Sequence, residues 1–141
     1  MPAKGQDNMP TTISPTSVFL ARLLGPILLV FGLAFVVNRK GYTTMAAEFV
    51  ASRALVYLAG AAALTLGLSI VLTHNVWTAD WRVIITLIGW VSLAAGVVRV
   101  LFPDSVKRIG GDMFVSETPV FVSGIVFAVL GATLCYAGYL R

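Results

Sequence analysis

The residues best suited to chemistry lie in one short stretch: His74-Asn75-Val76-Trp77-Thr78-Ala79-Asp80-Trp81-Arg82, followed by Thr86, Gly89 and Trp90. It holds the only histidine and all three tryptophans of the chain. A histidine titrates near neutrality, so His74 with Asp80 makes a pair suited to holding a proton, an ion or a lipid headgroup. One His and one Asp fall short of the three or four ligands of a zinc site, and a single histidine excludes a bis-histidine haem. No metal and no cofactor is expected. The same stretch also has a purely structural reading. His74 closes a helix, where a protonated imidazole is favoured by the dipole and can satisfy a free carbonyl. Asn75 suits a turn, Asp80 can cap the helix that follows, and Trp77 and Trp81 belong at a membrane–water interface, where the ring is apolar and its N–H stays wet.

Elsewhere the chemical signals are thin. No nucleophile stands beside a base, and no phosphate loop or acidic pair occurs. The lone Cys135 has no partner for a disulfide or a thiolate cage and reads as a small buried apolar residue. An enzyme is not expected. The formal net charge is +4, but the basic residues flank apolar runs instead of clustering on one element, so no nucleic-acid partner is expected either.

The elements that position these residues follow from composition. Of 141 residues, 58% are hydrophobic and 11% charged, against about 25% charged in a soluble domain. A globular fold this small could not hide so much apolar surface. A lipid bilayer removes the conflict, and it is the first partner the chain implies. Four apolar runs, about 18–37, 55–73, 83–102 and 120–140, each approach the twenty residues that a helix needs to cross a roughly 30 Å hydrocarbon core. Helices are required, because each backbone N–H in lipid needs a partner within its own segment, and the runs do not alternate as barrel strands would. The expected fold is all-α: a tail over residues 1–17, disordered by composition, then a four-helix transmembrane domain over 18–141. Tyr42–Ser52 and Ser105–Ser116 read as short helices lying at the interface. Near the span ends, Arg39, Lys40, Arg53, Arg99, Lys107 and Arg108 outnumber Lys4, Arg22, Arg82 and Arg141, which favours the first and third loops inside and both termini outside. Arg22 and Arg99 sit within apolar runs, where a charge is expensive. Both are near span ends and read as snorkelling, with Glu48 or Asp112 within reach of Arg99.

The chain also registers on itself without a gap at an offset of 64 residues. Gly25 falls on Gly89, Gly32 on Gly96, Gly60 on Gly124 and Gly67 on Gly131; Leu29, Val36, Ser52, Val56 and Leu66 meet Leu93, Val100, Ser116, Val120 and Leu130. Chance would align about 0.6 glycine pairs over this window, against the four seen. The expectation is a tandem duplication of a helical hairpin. Two spans per unit make it a parallel repeat, unlike the inverted repeats of many transporters. Within each span the matched glycines lie seven apart, two turns of a helix in a left-handed crossing. Bare backbone on one seam allows close approach, which drives helix association in lipid.

The motif H-N-x-W at His74–Trp77, the second tryptophan Trp81, T-x-x-G-W at Thr86–Trp90 and Phe102-Pro103, with Tyr57-Leu58-Ala59-Gly60 before them, resemble small uncharacterised bacterial inner-membrane proteins. The resemblance covers roughly residues 42–103. It implies a four-helix protein of the bacterial plasma membrane and no activity. Two functions from different classes remain. One is a non-catalytic packing or accessory module, bound to copies of itself or to a membrane complex. The other is a small oligomeric transporter or channel for a small or lipid-like substrate, with Ser, Thr and His74 along its path. The spans contain no Asp or Glu, the ionisable groups that proton-coupled pumps place at mid-membrane.

Overall fold

The computed structural model describes residues 13–113 and 116–140, and these are all-helical. Six α-helices follow in order: α1 Pro15–Val37, α2 Arg39–Ala51, α3 Arg53–Thr73, α4 Arg82–Leu101, α5 Pro103–Met113 and α6 Glu117–Cys135, the last continuing as one π-helical turn, Tyr136–Leu140. Four are long and apolar enough to cross a membrane: α1, α3, α4, and α6 with its π turn. They coincide with the four apolar runs to within three residues at every end. α1 begins at Pro15, where proline's fixed φ and missing N–H suit a first turn, so Pro15 to Ser17 belong to the helix and not to the tail. Residues 1–12 of the expected tail lie outside the described residues.

The two short helices, α2 and α5, lie where the mixed-polarity loops occur. Both α2 and α3 start on a side-chain cap. Asn38 Oδ1 accepts from the Gly41 amide at 3.3 Å, and Ser52 Oγ from the Leu55 amide at 3.4 Å. Ser116 caps α6 by accepting from Thr118 at 3.3 Å. Each satisfies an amide that helix geometry leaves without a partner.

The strongest packing joins α1 to α6 and α3 to α4. The two long helices of each expected unit, α1 with α3 and α4 with α6, hardly touch. The hairpin picture of the unit therefore needs correction: α1–α2–α3 is an open arch whose long helices pair with those of α4–α5–α6. The reason lies in the glycines. A Cβ built on Gly67 in α3 would press into the backbone of Leu93 in α4 and lie 2.8 Å from the Gly89 carbonyl oxygen. On Gly96 it would press into Leu64 and lie 2.9 Å from the Gly60 oxygen. The other pair repeats this. Gly131 in α6 faces Leu29 and the Gly25 oxygen in α1, and Gly32 faces Ala128 and the Gly124 oxygen. Each contact maps onto its counterpart when 64 is added to the number in the first half and subtracted from the number in the second. The helix bounds obey the same shift, since α1 ends at Val37 and α4 at Leu101, α2 starts at Arg39 and α5 at Pro103, α3 at Arg53 and α6 at Glu117.

Polar groups along the long helices are satisfied locally. The hydroxyls of Thr65, Ser69, Thr73 and Thr133 donate to carbonyls four residues back, at 2.7–2.9 Å, a bond that lets a hydroxyl face an apolar medium. Pro26 lies inside α1. Having no N–H, it leaves the Arg22 carbonyl without its helical donor. The Tyr139 hydroxyl donates to that oxygen at 3.2 Å, while Arg22 Nε donates to the Gly138 carbonyl at 2.6 Å. The charge of Arg22 is thus tied to the C-terminal turn of α6, where helix carbonyls favour a cation.

Candidate functional site

The turn between α3 and α4 stands at one end of the bundle, beside the start of α1 and the end of α6. His74 ends α3, its amide bonded to the Ile70 carbonyl at 2.7 Å. Its side chain is only 2% exposed. Nε2 lies 3.3 Å from the Arg82 carbonyl, and Nδ1 lies 3.5 Å from Ser17 Oγ on α1. A carbonyl only accepts, so Nε2 carries the hydrogen and Nδ1 accepts from the Ser17 hydroxyl. Burial first, and Arg82 second, hold the His74 pKa below the ordinary histidine value. This corrects the expectation of a protonated imidazole favoured by the helix dipole. Desolvation penalises the charged ring, and the neutral ring serves both contacts, Nε2–H donating to the carbonyl and Nδ1 accepting from the hydroxyl.

Thr86, fully buried on the first turns of α4, closes the loop from within. Its Oγ1 accepts from the Val76 amide at 3.1 Å and lies 3.0 Å from the Val76 carbonyl and 3.4 Å from that of His74. Asn75 Oδ1 accepts from Trp77 Nε1 at 2.7 Å. Asp80 accepts from the Trp81 amide at 2.7 Å and stands 3.6 Å from Arg82 Nε. The expected cap by Asp80 is therefore not formed: the N-cap of α4 is Trp81, no side chain caps that helix, and Asp80 bonds to the adjacent amide because the turn places it one residue too early to reach the free amides of the first helical turn.

The two tryptophans part company. Trp77 is 61% exposed, as an interface belt requires. Trp81 is 8% exposed and packs with Ala21, Leu24, Ile70, Ile85 and Leu134. Its indole N–H is buried with no hydrogen-bond partner among the described residues. The belt expectation therefore fails for Trp81, because the turn folds its ring inward onto α1 and α6. Ser17, which completes the His74 contact, was not singled out in the sequence. It lies 57 residues away, and no spacing rule connects it to the turn.

At the opposite end, α2 and α5 flank a cavity of about 430 Å³ between α1, α4 and α6. Its wall is apolar and aromatic, with Phe31, Phe35, Tyr42, Phe49 and Phe127 prominent, and Arg99 is the one charged residue on it among those described. The aromatics contact one another. Phe35 and Tyr42 centroids are 4.6 Å apart, and Phe35 and Phe127 are 5.9 Å apart. Arg99 forms no ion pair with Glu48, and the side chain of Asp112, its other expected partner, lies outside the description. Two other cations at this end are engaged. Arg53 pairs with Asp104 at 2.8 Å, and Arg39 lies over the Phe121 ring at 4.8 Å. A second, more polar cleft between α2 and α5, with Thr43, Thr44 and Lys107 on its wall, shares Val50 and Gly110 with the cavity.

Among the described residues, no group of three His, Cys, Asp or Glu side chains could hold a metal. Comparison with protein-family models, curated proteins and solved structures finds no match to this chain.

Proposed function

We propose that this is a multi-pass integral membrane protein that works as a non-catalytic packing or accessory module. Its two halves arose by tandem duplication, and it resides in a bacterial inner membrane with both termini outside. One observation carries the reading: four glycine-backed contacts press α1 onto α6 and α3 onto α4, backbone against backbone. Close approach of this kind is how helices associate in lipid. The polar turn supports the same reading. His74, Ser17 and Thr86 hold the turn onto α1 and α4, while Asn75 and Asp80 bond within the turn, so these polar groups have structural work. The equivalence of contacts and helix bounds at the 64-residue offset supports duplication. The charge asymmetry of the loops supports the orientation, and the H-N-x-W and T-x-x-G-W motifs support the bacterial membrane.

The partner is the lipid bilayer together with a second copy or a membrane complex. Purification in mild detergent, with light scattering for mass and identification of co-purifying chains, separates these. A monomer without partners at native expression would refute the accessory reading.

A specific observation favours the transporter or channel alternative. Thr65, Ser69 and Thr73 form an exposed hydroxyl stripe along α3, which would face a path only in an assembly of several copies. His74, being buried, would not be on it.

A further inference from the structure

We infer that the cavity beside Arg99 is a site for an anionic lipid of the surrounding bilayer, with the headgroup at the guanidinium and an acyl chain among the phenylalanines. The inference rests on the reading that the chain spans the membrane. At about 430 Å³ the cavity is within the range of small-molecule sites, about 300–1,000 Å³. Its wall is that of an acyl-chain pocket, apolar and aromatic, with small residues such as Ala46 and Gly110 leaving room.

The charge on that wall needs an explanation. Arg99 lies within α4, one of the membrane-length helices, near its C-terminal end. A guanidinium at that depth is costly unless it meets an anion or a wet interface. Among the described residues no acidic side chain lines the cavity, and none pairs with Arg99. The anion that fits is the phosphate of a lipid, which Arg recognises with a two-pronged donor set. Basic pockets between transmembrane helices bind anionic headgroups in this way.

The two halves differ at this point. Positions 31, 35 and 127 are phenylalanine in the wall, whereas the positions 64 residues away, Ala95, Arg99 and Ala63, are small or charged. Phe35 and Arg99 are equivalent positions and both line the same cavity. The symmetry that governs the glycine seams is thus broken where an amphiphile would need one aromatic side and one cationic side.

The test uses the full chain in mild detergent with equal amounts of phosphatidylglycerol and phosphatidylcholine of the same acyl composition. Retained lipid is counted by native mass spectrometry. Wild type should retain phosphatidylglycerol over phosphatidylcholine by about fivefold, the factor that one basic residue contributes toward an anionic membrane surface. Arg99→Gln should abolish the preference and Arg99→Lys should keep part of it. Arg108→Gln, the same charge change on α5 away from the cavity wall, should leave it intact. Ala46→Phe, which fills the cavity, should reduce retention of both lipids. Equal retention of the two lipids by wild type, or a preference that survives Arg99→Gln, would overturn the inference. So would an Arg108→Gln loss as large as that of Arg99→Gln, since the effect would then be one of net charge. Circular dichroism of each variant reports folding independently. If Arg99→Gln unfolds, the Ala46→Phe and Arg108→Gln results decide. Failure of the membrane-spanning reading shows separately, as labelling of cysteines at Asn75 and Gly41 from the same side of the membrane.

Discussion

Gly67→Leu isolates the packing of α3 against α4. In the native helix pair a Cβ at this position would lie 2.7 Å from Leu93 Cα and 2.8 Å from the Gly89 oxygen, where ordinary contact begins at 3.4 Å. The obstacles are backbone atoms, so no side-chain rotation relieves them, and the helices must separate by roughly 0.5–1 Å. A gap of that size forfeits a quarter to a half of each van der Waals contact along the seam, and overpacking in a dense interior typically costs about 1–3 kcal/mol. Helix propensity works the other way. Replacing glycine in a helix by alanine or leucine gains about 0.5–1 kcal/mol, so the net loss should be about 1–2 kcal/mol for leucine and smaller for alanine. Two controls bracket this. Gly111→Ala on α5 meets nothing within 4 Å, so it gains propensity without a clash and should be neutral or slightly stabilising. Ala62→Leu on the exposed side of α3 adds apolar volume toward lipid and should be nearly free. Thermal denaturation in detergent reads all three, with about 3 °C expected per kcal/mol at this chain length. Gly131→Leu, the counterpart on the other seam, should match Gly67→Leu. Equal melting temperatures for Gly67→Leu and Ala62→Leu would refute the seam argument, and a large difference between Gly67→Leu and Gly131→Leu would refute the equivalence of the halves.

Thr86→Val keeps the shape of the side chain but removes the acceptor of the Val76 amide. With that amide left inside the turn, a loss of about 1–3 kcal/mol is expected, read as a lower denaturation midpoint; an unchanged midpoint would mean the turn is held by packing alone. His74 makes stability depend on pH. Its folded pKa is lowered, so below about 6.5 the unfolded chain binds more protons than the folded one and stability falls as pH drops. His74→Gln should flatten the fall between about pH 6.5 and 5, above the carboxylate range; a slope unchanged in that variant would place its origin elsewhere. Cysteines introduced at Asn75 and Gly41 should react with an impermeant reagent from opposite sides of the membrane, Asn75 from outside. Reaction of Asn75 from inside and Gly41 from outside would reverse the orientation and keep the four spans.

Fold class, the number of membrane-length helices and their limits were legible in the sequence because they depend on local quantities. Twenty apolar residues in a row have one economical backbone in lipid; Asn38, Ser52 and Ser116 mark starts through bonds that reach two or three residues ahead, and Pro15 through its fixed φ. The glycine rows were legible too, since a missing side chain on a fixed helical spacing defines a seam. What the sequence could not say is which seam meets which. A glycine row fits any other glycine row, and only the assembled bundle joined α1 to α6 and α3 to α4 instead of closing each unit as a hairpin. The functional residues divide in the same way. His74, Asn75 and Asp80 announced themselves by type and proximity. The neutral state of His74, the contact with Ser17 and the inward turn of Trp81 arise from chain segments dozens of residues apart, because burial and hydrogen-bond partners exist only once those segments meet. The cavity beside Arg99 belongs wholly to the tertiary structure: its wall is assembled from five helices, and no single stretch of sequence contains it.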